Sequence, residues 1–288
     1  MSSVPIIMAP RRESGESKAA LVLAHRAAAR LKAKIVISNV SPSPASSDAL
    51  GPRLGLSAED LADCVVESVE GQDVAQALLA RARELKPRLI VLTAGGTGSN
   101  VSPITTEVIS ATEFAALVLR REIELKELAE GQWVRRILVP LDAAPASAEA
   151  VRRAARIASR ENASLDLLHI TTPGVGGPKE SGSLPVGYFV DRPHYDLKIW
   201  SIEFLERFFH GMVPDTSGLT PELHLAVGDV ADEIIKFAEG NATDLIVMAW
   251  QGVLEPGRAE IVRELLSRGP CQLLFLVIEG ASASAGAA

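Results

Sequence analysis

Residues 93–106, TAGGTGSNVSPITT, bring together groups that could bind an anion. Gly95, Gly96, Gly98 and Ser99 lie within one span of five positions. Glycine lets backbone N–H groups approach a ligand closely, so N–H groups and a hydroxyl here could form a nest for a small anion or a phosphate. Glycine and serine are also favoured in turns that bind nothing. Anion binding and an ordinary turn therefore both remain open for this segment.

A second candidate is Asp142, in the stretch RILVPLDAAPASAEAV at residues 136–151. The apolar run RILVPL predicts a buried strand, and the Ala-rich segment after it predicts a helix. Asp142 stands between the two. An acid at this position commonly caps the helix that follows, so a purely structural role is one interpretation of Asp142.

The histidines and cysteines show no spacing that is typical of a metal site or a nucleophile. Cys64 and Cys271 lie one in each half, and the sequence has no HExxH or CxxC motif. It also has no nucleophile elbow, Walker loop or Ser/His/Asp order. No convincing ligand spacing connects the five histidines, which are His25, His169, His194, His210 and His224. We therefore expect no metal site and no dedicated enzyme.

Composition places the chain among ordinary globular proteins. Its 288 residues are 47% hydrophobic and 23% charged, which suits two domains with a core in each. The formal net charge of −7 argues against nucleic-acid and acidic-membrane partners, which need clustered lysine and arginine. The sequence shows no signal-peptide core and no apolar run long enough to span a bilayer. We expect a soluble, cytoplasmic protein.

The sequence repeats itself. Residues 6–40 align with residues 136–170 at an offset of 130, which places Pro10 on Pro140. Residues 73–96 align with residues 229–252 at an offset of 156, which places Asp73 on Asp229. The offsets differ by 26 residues, so the second copy has an insertion, at about residues 172–220. Each copy predicts five strands with helices between them.

Continuous runs of Val, Ile and Leu indicate a parallel sheet that is covered on both faces. We predict an α/β protein with two tandem doubly wound domains, each with a five-stranded parallel sheet. The first domain covers residues 1–130 and the second, with the insertion, covers residues 131–280. Residues 281–288 are small and low in complexity, so we expect a disordered tail.

The order of ILVPLD, LLHI, GDVADEI, DLIVMAWQG and RELLSRGPCQLLFLV resembles the universal stress protein family, and its repetition resembles the tandem form. The resemblance implies a nucleotide pocket at the carboxyl edge of the sheet, with Asp142 facing it and ATP, ADP or AMP as candidate ligands. The residues of the second copy that the resemblance assigns to this pocket are Asp142, His169, Met248, Ala249 and Gly252.

The chain departs from the phosphate motif of the ATP-binding members, which is Gly, two residues, Gly, nine residues, then Gly and Ser or Thr. In the second copy Ala249 replaces the first Gly and Gly252 is kept. Counting nine residues forward places Val262 and Arg263 on the final pair, whereas alignment backward from residues 270 and 271 places Ala259 and Glu260 there. In the first copy Arg12 replaces the pocket acid. Trp250, placed in the turn, could fill the ligand space or stack on an adenine. We expect nucleotide binding to be weak or lost.

The fifth predicted strand of each copy indicates how the two copies meet. In the resembling family this edge strand pairs two domains, so residues 117–119 should meet residues 273–277 in an internal pseudo-dimer, and an open apolar edge would invite aggregation. Further homodimerisation remains open. The aromatic stripe in the insertion, Trp200, Phe204 and Phe208, could pack on its own domain or dock a protein partner.

Three functions remain open at this point. The first is a non-enzymatic stress-response or regulatory protein with weak or lost nucleotide binding. The second is an ATP-binding switch with slow ATPase activity that uses Asp142 and Gly252. The third is an interaction scaffold that uses the insertion.

Overall fold

The computed structural model describes residues 4–12, 18–61, 63–94, 101–120, 133–141, 145–171, 219–250 and 258–278. These residues form ten strands and seven helices. The elements of the first half are β1 (Ile6–Pro10), α1 (Lys18–Leu31), β2 (Lys34–Ser41), α2 (Ser47–Arg53), β3 (Cys64–Glu70), α3 (Val74–Leu85), β4 (Leu89–Thr93), α4 (Pro103–Ala111) and β5 (Ala116–Leu119). Those of the second half are β6 (Arg136–Leu141), α5 (Pro145–Glu161), β7 (Ser164–Thr171), β8 (Glu222–Val227), α6 (Val230–Gly240), β9 (Leu245–Trp250), α7 (Arg258–Arg268) and β10 (Gln272–Val277).

The strands join into one ten-stranded sheet in the order β3-β2-β1-β4-β5-β10-β9-β6-β7-β8. Neighbouring strands are parallel within each half, and the order β3-β2-β1-β4-β5 recurs in the second half as β8-β7-β6-β9-β10. The predicted fold class, two five-stranded doubly wound parallel sheets, is confirmed.

Both faces of the sheet are buried because apolar side chains occupy successive strand positions. Ile137 and Val139 pack with α1, α2 and α5 in one core, whereas Leu138 packs with α3, α4, α6 and α7 in the other. This explains why the strands are continuous runs of Val, Ile and Leu instead of alternating apolar and polar residues.

The sequence repeat recurs in the backbone. Lys32 and Asn162, which are 130 positions apart, both adopt left-handed backbone with φ of 52°. Lys86 and Ala242, which are 156 positions apart, do the same at φ of 49° and 51°. These non-glycine residues end equivalent helices in a conformation that L-residues seldom adopt. The two copies therefore follow the same path at these turns.

The two halves meet at strand five, as the sequence predicts. β5 and β10 pair antiparallel, with Leu273 beside Val118 and Phe275 beside Ala116. Next to this pair, the Arg120 backbone N–H donates to Gln272 Oε1 at 2.7 Å, and its guanidinium donates to Ser267 O at 2.8 Å. The pairing gives the apolar edge of each half a partner within the same chain.

Several predictions fall outside the described residues. These are the chain around the domain boundary at residues 130 and 131, the insertion apart from its last residues, and the tail. The boundaries at residues 130, 131 and 280 stay predictions. In the part of the chain that the structure describes, no helix is long and apolar enough to cross a membrane.

Candidate functional site

The carboxyl ends of β6 and β9 form the place where a doubly wound sheet binds its ligand. These strands are neighbours in the sheet, while the chain leaves β6 toward one face and β9 toward the other. A crevice opens at such a topological switch point. The corresponding point in the first half lies between β1 and β4. Each half therefore has one candidate edge.

His169 sits at the end of β7 and contacts this edge directly. Its Nδ1 lies 3.3 Å from the backbone oxygen of Leu141, the last residue of β6. A carbonyl oxygen only accepts hydrogen bonds, so this contact requires the proton of the half-buried imidazole on Nδ1. The bond fixes the end of β6 immediately before Asp142.

The first half repeats this contact with a different side chain. Asn39, which aligns with His169, donates from Nδ2 to the Arg11 backbone oxygen at 2.9 Å. Asn39 is buried, and its Oδ1 has no hydrogen-bond partner within the described ranges. A polar side chain at the end of the second strand thus holds the end of the first strand in both halves.

Met248, Ala249 and Trp250 form the end of β9. Their side chains alternate between the two faces, so Ala249 packs on the core beneath α5 while Met248 and Trp250 pack on the core beneath α6 and α7. Met248 and Ala249 are half-buried. The structure places His169 and these three residues toward the carboxyl edge of the sheet, and the part of His169, Met248 and Ala249 in a nucleotide pocket stays a prediction.

The position of Trp250 corrects the sequence-based expectation. It belongs to β9 rather than to the turn, and its side chain is fully buried against Phe275, edge-to-face, with ring centroids 5.7 Å apart. An indole in this place cannot stack on an adenine without leaving the core. Its Nε1 is buried and has no hydrogen-bond partner among the residues that the structure describes. Hydrophobic periodicity does not predict the burial of Trp250, because the residues WQG at the end of the apolar run resemble the start of a loop.

Residues 134–274 match the sequence model of the universal stress protein family. These residues of the second half are therefore a domain of the universal stress protein family. A structure assigned to this family from Pseudomonas aeruginosa aligns with TM-score 0.70 over 96% of this chain and 94% of its own, at 13% identity. A universal stress protein from Archaeoglobus fulgidus aligns with TM-score 0.62 over 94% and 96%, at 12% identity. These structural alignments show that the chain shares its fold with both proteins along nearly its whole length.

A universal stress protein in complex with cAMP aligns with 50% of this chain and 96% of its own, at 20% identity and TM-score 0.35. Comparison with the curated proteins found no match.

The remaining residues that the family resemblance or the glycine cluster predicts for a site lie outside the described residues. They are Asp142, Gly252, Gly95, Gly96, Gly98 and Ser99. The ends of the glycine-rich segment are described. The Ser102 backbone N–H donates to Ala94 O at 2.8 Å, and Thr105 Oγ1 donates to Thr93 O at 2.9 Å. The chain therefore returns to the end of β4 before α4 begins.

Two residues that sequence alignment assigns to nucleotide-contact positions are described by the structure. Glu260 is exposed in the first turn of α7, the helix that follows the phosphate loop. Arg12, which aligns with the pocket acid, is exposed just after β1. A carboxylate at a helix N-terminus satisfies the positive end of the helix dipole and repels a phosphate.

The structure also brings together three residues that the sequence analysis did not connect. Asp166 of β7 and both Glu222 and His224 of β8 offer ligand atoms that lie within 4.8 Å of one another. They lie near the starts of their strands, at the opposite edge from His169. Their proximity depends on the register of β8 against β7, and about 50 residues of chain separate the two strands.

Proposed function

We propose that this universal stress protein is a regulatory or protective protein that acts by binding rather than by turnover, with weak or no affinity for adenine nucleotides in its second domain. The observation that carries the proposal is Glu260, exposed in the first turn of α7. Phosphate groups bind helix N-termini because backbone N–H groups and the dipole favour negative charge there. Glu260 supplies that charge from the protein itself.

Trp250 supports the same conclusion from the other end of the phosphate loop. The fully buried indole anchors the last residue of β9 in the core, immediately before the loop starts. The preceding residue is Ala249, so a Cβ stands where the ATP-binding members have glycine. Both features limit how closely this backbone can approach a phosphate.

The cysteine that contacts a histidine is not an activated thiol, which also favours binding over turnover. Cys64 Sγ lies 3.6 Å from His25 Nε2, an arrangement that could activate a thiol. Burial, together with the charges of Asp63 and Asp60, raises the pKa of Cys64 to about 11. The thiol therefore stays protonated at neutral pH and is a poor nucleophile.

Calorimetric titration of the full chain with ATP, ADP and AMP tests the proposal. We expect no saturable binding at micromolar concentrations. Glu260→Gln should gain affinity for ATP, while Glu239→Gln, which removes an equally exposed charge at the end of α6, should not. Stoichiometric binding of ATP to the unmodified chain at micromolar concentration would contradict the proposal.

A nucleotide-binding switch that uses Asp142 and Gly252 is the alternative. The hydrogen bond from His169 to Leu141 O favours it, because that bond fixes the strand end next to the family's pocket acid. Asp142→Ala separates the two functions. A switch should lose nucleotide binding in this variant, whereas loss of a helix cap should lower stability by about 1 kcal/mol and leave binding unchanged.

A further inference from the structure

Asp166, Glu222 and His224 form a cluster on one face of the sheet. Asp166 is the register partner of Glu222, and Leu168 is that of His224, so all three side chains project from the same face of β7 and β8. His224 Nε2 lies 2.9 Å from Asp166 Oδ1 and 3.8 Å from Glu222 Oε2. The Asp166 side chain is 4% exposed, whereas Glu222 is 72% exposed. The cluster is therefore anchored in the core and open to solvent on one side.

From this geometry we infer that the cluster is a binding site for a divalent transition-metal ion of the zinc class. Imidazole nitrogen and carboxylate oxygen are both ligands of zinc, which binds them at about 2.0–2.2 Å, and these three residues leave the fourth tetrahedral position open. Tetrahedral bonds of that length place ligand atoms roughly 3.3 Å apart. The distances from His224 Nε2 to Asp166 Oδ1 and Glu222 Oε2, 2.9 and 3.8 Å, lie on either side of this value. Glu222 is exposed enough to adjust.

The surroundings of Asp166 fit a metal ligand. Its Oδ2 is buried and accepts no hydrogen bond from the described part of the chain, although Arg136 Nε lies 3.2 Å away as an ion pair. The Arg136 guanidinium also donates to Asn241 O at 3.0 Å, so it is held beside the carboxylate. Carboxylate ligands commonly have such an outer partner, which orients them. Oδ1 then faces His224 as the coordinating oxygen.

Arg136 also places a positive charge near the proposed ion. The two carboxylates, Asp166 and Glu222, together outweigh this charge before the metal binds. The ion would replace the proton that His224 Nε2 shares with Asp166 Oδ1 in the structure. Phe237 packs against the imidazole, with ring centroids 4.6 Å apart, and fixes its orientation.

The first half of the chain lacks this donor set, which predicts the stoichiometry. Val36 and Val65 are register partners there, at the positions equivalent to Asp166 and Glu222. Glu67 stands at the position of His224 and pairs with Arg81 at 2.7 Å. We expect one such site per chain, in the second half.

Calorimetric titration of the untagged, chelator-treated full chain with ZnCl₂ tests the site. We expect one zinc ion per chain. Glu222→Gln should weaken the affinity at least about 10-fold, as loss of a ligand or its support typically does, and His224→Gln should weaken it further. His25→Gln, in the first half, is the matched control and should bind zinc as the unmodified chain does.

Glu222 is exposed, so its substitution should leave the fold intact, which far-UV circular dichroism can check. The absence of a stoichiometric binding event would overturn the site. Zinc affinity that is unchanged in both Glu222→Gln and His224→Gln would also overturn it and would mean an adventitious ion only.

Discussion

Replacement of Trp250 tests whether its indole is a structural part of the core. The side chain is fully buried, so Trp250→Ala should lower the free energy of unfolding by about 3–5 kcal/mol, of which the edge-to-face contact with Phe275 contributes about 0.5–1.5 kcal/mol. Trp250→Phe should cost far less. It leaves a cavity of roughly 40 Å³, worth about 1 kcal/mol, but it also removes an unpaired buried N–H whose cost is about 1–3 kcal/mol.

Urea denaturation followed by far-UV circular dichroism measures both variants without relying on tryptophan fluorescence. Trp133, which is half-buried, provides a size-matched control, and Trp133→Ala should cost less than Trp250→Ala. The m-value should stay constant, so that midpoint shifts report stability. A Trp250→Ala variant within about 1 kcal/mol of the unmodified chain would refute the structural role of the indole.

Three further perturbations test the rest of the structure. Arg120→Ala removes the guanidinium that donates to Ser267 O but keeps the backbone N–H that donates to Gln272, and the loss of unfolding free energy in urea titration should be about 1–3 kcal/mol; no change would show that the guanidinium does not stabilise the contact between the halves. Asp73→Ala and Asp229→Ala each remove a helix cap, which accepts from a backbone N–H at 3.0 and 3.1 Å, so each should cost about 1 kcal/mol, and very unequal losses would contradict their equivalence. Cys64, with its pKa raised to about 11, should react slowly with a thiol reagent at pH 7 in the native state and faster as pH rises toward 11; rapid native modification at pH 7 would contradict this.

The sequence predicts most of the fold because the repeat constrains it twice. Offsets of 130 and 156 place Lys32 on Asn162 and Lys86 on Ala242, and these pairs share their left-handed backbone. The pairing of β5 with β10 follows from an apolar edge strand that needs a partner. Local pattern and burial point to the same structure in these places, so residue types suffice to predict it.

Other features depend on distances that periodicity does not contain. The burial of Trp250 depends on how α7 and β10 pack around the end of β9. The contact between Asp166 and His224 depends on a strand register set after a long insertion. Spacing along the sequence does not reveal the cluster around His224, because Glu222 and His224 lie on β8 whereas Asp166 lies on β7. The available signal was the two-residue spacing of Glu222 and His224, which places both side chains on the same face of one strand.

The nucleotide content of the freshly purified full chain tests the central claim most directly. The protein is denatured, and the released small molecules are separated and quantified against the protein concentration. Our account predicts far less than one adenine nucleotide per chain, because Glu260 and the anchored Trp250 oppose phosphate binding at the second edge. Close to one ATP, ADP or AMP per chain would contradict it and would favour the nucleotide-binding switch.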